Sequence, residues 1–293
     1  MYKINENISV KKRSITVEVW RRLRKNKGAM IGLGVVVLLI IVALTAPLML
    51  DYQEDVINQN ISGRLQRPSL KHFFGTDETG RDIFNRIVYG SRYSLSVGFI
   101  AVTVSLLIGV PLGSVAGFFG GKVDNLIMRT ADIFLSIPTF LLALVVVVAL
   151  GQSTFNLMLA VGVTSAPHFV RVARASVLSV SNQEYVEAAR AIGIVDLKII
   201  FRHVLPNSLS PIIVQATMRV GSAIITASSL SFLGLGVSPP TPEWGAMLAG
   251  GRRFIHDYSY MTMFPGLAIM ITVLALNMFG DGLRDAIDPR LKR

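Results

Sequence analysis

The sequence predicts an all-α integral membrane protein with six transmembrane helices. Three observations carry this. Apolar residues come in long runs with almost no charge. Mean hydropathy is +0.55 and only 16% of residues are charged. Lysine and arginine cluster on one side of the alternating loops. Runs of about 18 or more apolar residues are long enough to cross a bilayer core.

The first run, Ala29 to Leu50, has 22 residues without a charge. At about 1.5 Å per residue it reaches about 33 Å. Basic residues before it, Arg21 to Lys27, resemble a signal-peptide flank. The run is longer than such a peptide needs and lacks a clean cleavage site, so a retained helix is expected. A second run spans Tyr93 to Gly121. Between Asp132 and Arg171 lie 38 residues whose only titratable group is His168. One helix of that length would reach about 57 Å, too long for one span. The turn-forming Gly151-Gln152-Ser153-Thr154 divides it into two. The fifth run, Val204 to Gly236, is broken only by Arg219. The sixth runs from Tyr258 to Gly280.

Six helices put both termini on one side. That side carries 20 lysines and arginines and the other carries eight. The bias predicts cytoplasmic termini. It also accounts for much of the net charge of +11 through anionic lipid, with no need for nucleic acid. The predicted layout is a cytoplasmic tail 1–28, a first helix 29–50, an extracytoplasmic loop 51–92, a five-helix core 93–281 and a tail 282–293. Within the loop, Ile83, Phe84, Ile87 and Val88 form an apolar stripe. It fits a helix lying at the outer interface or an ordinary loop helix.

Several chemistries lack their residues. There is no cysteine, so thiolate catalysis and disulfides are excluded. Ala116 to Lys122 is glycine-rich but misses the phosphate-loop spacing, with Ala116 and Val123 at two required positions. The four histidines show no i, i+4 pair, and no nucleophile elbow is present. No cofactor or metal site is expected in the chain. Met261 and Met263 read as apolar filler. No acidic residue falls inside a predicted span, which disfavours an ion-coupled secondary transporter or channel. Arg219 is the one strong cation deep in a span. It faces a transport path, or it snorkels to the inner interface. Gln215 and Asn277 are weaker path candidates.

Residues 180–206 stand apart as a polar-faced cytoplasmic segment. Ser181 and Glu184 fit a capping box, with Val180 and Tyr185 as its staple. Tyr185, Ala188, Ala189 and Ile192 share one face of a helix starting at Asn182. Gly193 is a helix stop. Asp196 can cap a second helix, stapled by Val195 and Ile200, with Leu197, Ile200, Phe201 and Val204 as its stripe. Pattern alone leaves two readings. The hairpin packs only on its own spans, or it also offers Glu187 and the small alanines to a partner.

Here the chain resembles the permease subunits of ABC importers, whose coupling loop has the pattern E-A-A-x3-G-x9-I-x-L-P. The sequence has Glu187-Ala188-Ala189, Gly193 and then His203-Val204-Leu205-Pro206, with histidine in place of the isoleucine. The stretches Gly75 to Asp82 and Ser229 to Gly236, and the basic Arg22 to Lys27, resemble the same dipeptide/oligopeptide (peptide/nickel) branch, C-type subunit. The resemblance covers nearly the whole chain. It implies a type I importer transmembrane domain in a bacterial or archaeal cytoplasmic membrane. It implies a heterodimer with a second, B-type permease, two ATPase subunits that use ATP and Mg, and an extracytoplasmic substrate-binding protein. Glu187, Ala188, Ala189, Gly193, Leu205 and Pro206 would couple to the ATPases. The implied cargo is a dipeptide or oligopeptide. Nickel or metal–chelator complexes, glutathione and glycosides are the alternative.

Overall fold

A computed structural model describes residues 15–287; parts of both predicted tails lie outside the described residues. Almost every ordered segment is helical. An amphipathic α1 (Ile15–Leu23) leads into α2 (Lys27–Met49). Asn26 caps α2, its Oδ1 accepting from Ala29 N at 3.1 Å. Helix α2 is apolar on all sides and buries few residues, as suits a helix facing lipid.

Helix α3 (Ile83–Phe119) has 37 residues, about 55 Å. Here the structure differs from the expected separate interfacial helix. The stripe at Ile83 and Ile87 is the first part of the second span itself. It packs on Tyr260, Met261 and Phe74, and Val88 packs near Val56 and Tyr89. Neither Gly90 nor Arg92 breaks the helix. Gly90 lies against the Pro242 carbonyl, where a Cβ would come within 1.9 Å.

The third predicted span, between Asp132 and Gly151, is the end of α4 (Gly121–Ser136) followed by α5 (Thr139–Leu150), and the two helices are bent by 90°. Pro138 causes the bend. It pushes Ile137 to extended geometry at φ −97°, ψ 132°. Arg171 Nη2 donates to Asp132 Oδ1 at 2.7 Å, and Arg174 donates two hydrogen bonds to Asp124. These tie α4 to α6 (Thr154–Ser181). The expected turn is present, with Gly151 at φ +86° and Ser153 Oγ accepting from Asn156 N at 3.0 Å.

Among the described residues, four helices are long and apolar enough to cross a membrane: α2, α3, the helix Asp196–Phe232 and α11 (Tyr260–Ile287). The bent pair makes five if it counts as one span. The remaining predicted span, α6, is 28 residues long but more polar. It lies in the middle of the bundle, where Thr164 and Ser176 bond or pack within protein rather than lipid. Its contact with α3 is close because Gly109, Gly113 and Gly117 recur every fourth residue. A Cβ at each would come within 2.4–2.7 Å of an α6 carbonyl oxygen, Ala166, Val170 or Arg174. Such small-residue stripes let membrane helices approach backbone to backbone.

The stripe gives a test of the packing. Gly113→Leu should lower the melting temperature of the detergent-purified protein by several degrees, because overpacking costs about 1–3 kcal/mol. Gly34→Leu, where a Cβ meets nothing within 4 Å, should leave it unchanged. Equal melting of the two variants would contradict the packing described.

Candidate functional site: the amphipathic hairpin and a polar stripe in the helix that follows it

The segment read as a hairpin begins with α7 (Glu184–Ala191). It ends in a Schellman motif. Gly193 sits at φ +80°, its N–H bonds Arg190 O at 2.9 Å, and Ile194 N bonds Ala189 O at 3.2 Å. The expected glycine stop is therefore present.

Both expected N-caps are absent. Helix α6 runs on to Ser181, whose hydroxyl donates to Leu178 O at 3.1 Å and cannot cap the next helix. Gln183 takes the cap position instead, without a side-chain bond. Asp196 lies inside the first turn of α8 (Asp196–Ile199), where its charge suits the helix N-terminus, and Val195 stands at the cap. Neither staple closes, since Tyr185 and Val195 are exposed.

The second helix is also not short. After α8, the chain makes a π turn, Ile200–Val204, and continues without a break into α9 (Leu205–Phe232). Leu205 N bonds Ile200 O, an i to i−5 pairing. Pro206 has no N–H, so it would leave a carbonyl of the preceding turn without its helical partner; the wider turn accommodates that loss. Leu205 is half-buried and Pro206 exposed at this junction.

The hairpin buries Val186, Ala189, Ile199, Ile200 and Val204 against Phe118 of α3 and Val177 of α6. Arg190 strengthens this seat: its guanidinium lies 4.5 Å above the Phe118 ring, and its Nε is 3.8 Å from Asp196 Oδ1. The expected stripes are rotated. Ala189 faces the protein's own core, while Glu187 and Ala188 are exposed. Around them Tyr185, Ile192, Val195, Leu197 and Phe201 are between 44% and 77% exposed. Five large apolar side chains held out on a rigid hairpin mark an interaction surface.

The path candidates separate. Gln215 and Arg219 are half-buried on one face of α9. Asn277, on α11, lies elsewhere, with its Oδ1 3.6 Å from the Cβ position of Gly221. Arg219 lines a cavity of about 60 Å³ with Ser105, Thr139, Ser165, Ser222 and Thr226.

The end of the bundle away from the hairpin holds three acidic residues, Asp77, Glu78 and Glu243, that pattern reasoning did not single out. Asp77 gathers the loop before α3. Its Oδ1 accepts from Thr79 N, Thr79 Oγ1 and Arg81 N, and its Oδ2 lies 2.6 Å from Arg81 Nε and 3.7 Å from Arg86 Nε. Burial, with the neighbouring Asp77 charge second, raises the Glu78 pKa. Glu243 caps α10 (Trp244–Gly251), a short helix that the sequence reading missed. Its oxygens accept from Gly245 N and Ala246 N, both at 2.9 Å, and Ser94 Oγ and Ser228 Oγ each lie 3.4 Å from Oε1. Complete burial raises its pKa against the lowering effect of those donors. The legible signal was an acidic residue directly before a short apolar segment.

Glu243 therefore joins α3, α9 and α10 at one point. Glu243→Ala should cost about 1–2 kcal/mol through the lost cap and two orphaned N–H groups, and Glu243→Gln should cost less by keeping one acceptor. Thermal unfolding in detergent reads the order; a Gln variant no more stable than the Ala variant would refute the cap's role.

A bundle of apolar helices that holds out an amphipathic hairpin, continuous with one of them, has the architecture of a membrane protein with an exposed interaction surface. Residues 109–293 match the family model described as binding-protein-dependent transport system inner membrane component. Residues 14–68 match the N-terminal TM domain of oligopeptide transport permease C. The dipeptide transport system permease protein DppC of Alkalihalophilus pseudofirmus is 49% identical, over 94% of this chain and 90% of its own. The di/tripeptide transport system permease protein DppC of Pseudomonas aeruginosa is 44% identical, over 94% and 92%. The glutathione transport system permease protein GsiD of an Escherichia coli strain is 46% identical, over 94% and 90%. An inward-facing structure of the MetNI methionine ABC transporter superposes with a TM-score of 0.57 at 19% identity, covering 69% of this chain and 96% of that one. The chain belongs to the binding-protein-dependent ABC-importer permeases, as a C-type subunit of the dipeptide/oligopeptide branch, with the type I importer transmembrane fold.

Proposed function

We propose that this subunit forms half of an ATP-driven importer for dipeptides and other short peptides. It pairs with a B-type permease, receives cargo from an extracytoplasmic binding protein and docks on two ATPase subunits through the hairpin. Both termini lie in the cytoplasm. ATP and Mg act in the partner ATPases. The relatives that move dipeptides and di/tripeptides, at 49% and 44% identity, support the cargo. A second reading, glutathione, has the support of relatives at 46% identity. It stays within the same chemical class, since glutathione is a tripeptide.

The exposed apolar face of the hairpin carries the coupling reading. Tyr185, Ile192, Val195, Leu197 and Phe201 surround Glu187 and Ala188. Such a face fits a cleft in a partner whose rim supplies polar or basic groups for Glu187. Closure of the ATPase dimer on ATP displaces the hairpin. The displacement passes into α9 without an intervening hinge, and hydrolysis releases it. For this to bias the permease, the hairpin must bind the two ATPase states with different affinity.

Leu197→Asp with Phe201→Asp should lower peptide uptake about tenfold or more and reduce copurification of the ATPases, while membrane insertion stays normal. Wild-type uptake in cells without a redundant importer would sink the docking assignment. Glu187→Lys should separate ATP hydrolysis from cargo delivery; substrate-stimulated hydrolysis at the wild-type rate would count against it. Gly193→Val forces a β-branched residue to φ +80° and should abolish uptake without loss of the folded bundle, read by uptake beside size-exclusion behaviour. The cargo itself is identified by mass spectrometry of what the partner binding protein retains.

A further inference from the structure

Five polar residues of α9 lie on one face. Gln215, Arg219, Ser222, Thr226 and Ser229 fall at i, i+4, i+7, i+11 and i+14, a stripe less than a quarter-turn wide at about 100° per residue. Arg219 is close to the middle of the helix, about 20 Å from either end. It lines a cavity with Ser222 and Thr226 of the same stripe and with Ser105, Thr139 and Ser165 of neighbouring helices, which favours a path-facing arginine.

Arg219 makes no ion pair among the described residues; the ion pairs present involve other cations. The cavity beside it is lined by hydroxyls rather than by carboxylates. Several of these hydroxyls spend their proton on backbone carbonyls. Thr226 donates to Ser222 O at 3.0 Å, and Ser105 to Gly162 O at 2.7 Å. Their oxygens remain as weak, neutral acceptors, and among the described residues no carboxylate lines the cavity beside the guanidinium. A cation within a membrane-spanning helix without a counterion is costly, and such residues mark ion and substrate routes.

We propose that Arg219 receives the C-terminal carboxylate of the cargo during passage. This rests on the peptide reading above. A guanidinium presents two parallel N–H donors that match a carboxylate, and the bond is charge-assisted. The α-carboxylate is the one anionic group common to all linear peptides. Recognition there, with neutral hydroxyls elsewhere on the stripe, leaves the cargo's side chains unread. The site is a transient one: an open cavity of about 60 Å³ admits a carboxylate but does not enclose a whole peptide. Binding weak enough to release suits a path.

The test uses the complete complex in liposomes, with its partner permease, ATPases and binding protein. The cargo is a tripeptide or the same tripeptide as its C-terminal amide, each loaded on saturating binding protein. Transport is read per ATP hydrolysed. The wild type should move the acid faster than the amide. Arg219→Gln should lower acid transport about tenfold or more and bring acid and amide to the same rate, with stimulated ATP hydrolysis retained. Arg219→Lys should keep part of the preference. An unchanged acid-to-amide ratio in Arg219→Gln overturns the proposal. So does dissociation of the two permeases in that variant, which would mark Arg219 as the partner of a carboxylate across the subunit interface. A wild type that moves both forms equally refutes carboxylate recognition and leaves the importer reading standing; one that moves no peptide removes the cargo reading and this proposal with it.

Discussion

The continuous helical run from Asp196 to Phe232 is the constraint on which the working parts depend. A proline inside a helix removes a hydrogen bond and tends to kink it. The π turn at Ile200–Val204 accommodates Pro206, and the helix runs on past Pro211, so the hairpin and the span remain one element. Phe201 on the exposed hairpin and Arg219 in the span are then about 27 Å apart on a single element. A displacement applied at one must appear at the other, through rotation or tilt of the whole helix. Closely packed elements have discrete arrangements rather than a continuum of them, which suits a switch.

A rod transmits motion only if something else holds still. On the inner side, α7 is seated on α3 through Phe118 and Arg190, and α3 is locked to α6 by the glycine stripe. At the far end of the bundle, Glu243 joins Ser94 of α3, Ser228 near the C-terminal end of α9 and the start of α10. The buried carboxylate is costly to place, but its two backbone donors and two nearby hydroxyls offset part of that cost. The rod thus has one pinned end and one end carrying the hairpin. That geometry favours tilting about the pinned end, with larger excursions at the hairpin.

Much of this was legible in the residues. Long uncharged runs marked the spans, and the Gly151 to Thr154 turn separated the third from the fourth. Gly193 announced the helix stop, because a position with φ near +80° favours glycine. The remainder failed for identifiable reasons. The capping-box pattern at Ser181 was compositionally correct, yet α6 outlasted it and took the hydroxyl for its own carbonyl. The stripe Tyr185, Ala188, Ala189, Ile192 is a genuine helical face, but Phe118 and Val177 cover an adjacent one centred on Val186 and Ala189. Periodicity locates an apolar face; only the neighbours decide whether it is the buried one. The outer loop misled differently. Ile83 and Ile87 read as the stripe of a separate interfacial or loop helix because their partners, Tyr260 and Phe74, are far away in sequence or hidden in an irregular loop.

That rotation changes which residues meet a partner. Ala189 cannot be a contact, since it is part of the hairpin's own seat, and its small size serves the approach of α7 to α3 and α6. In the proposed docking the contact falls instead on Ala188, Glu187 and the ring of large apolar groups around them. Exposing five such side chains to water is unfavourable by about 25 cal/mol per Å² of apolar area, and the isolated subunit bears that cost. Docking recovers it. Because the hairpin is already rigid, little of the recovered free energy is lost in ordering it. The surplus is available to favour one ATPase state over the other, which is what coupling requires.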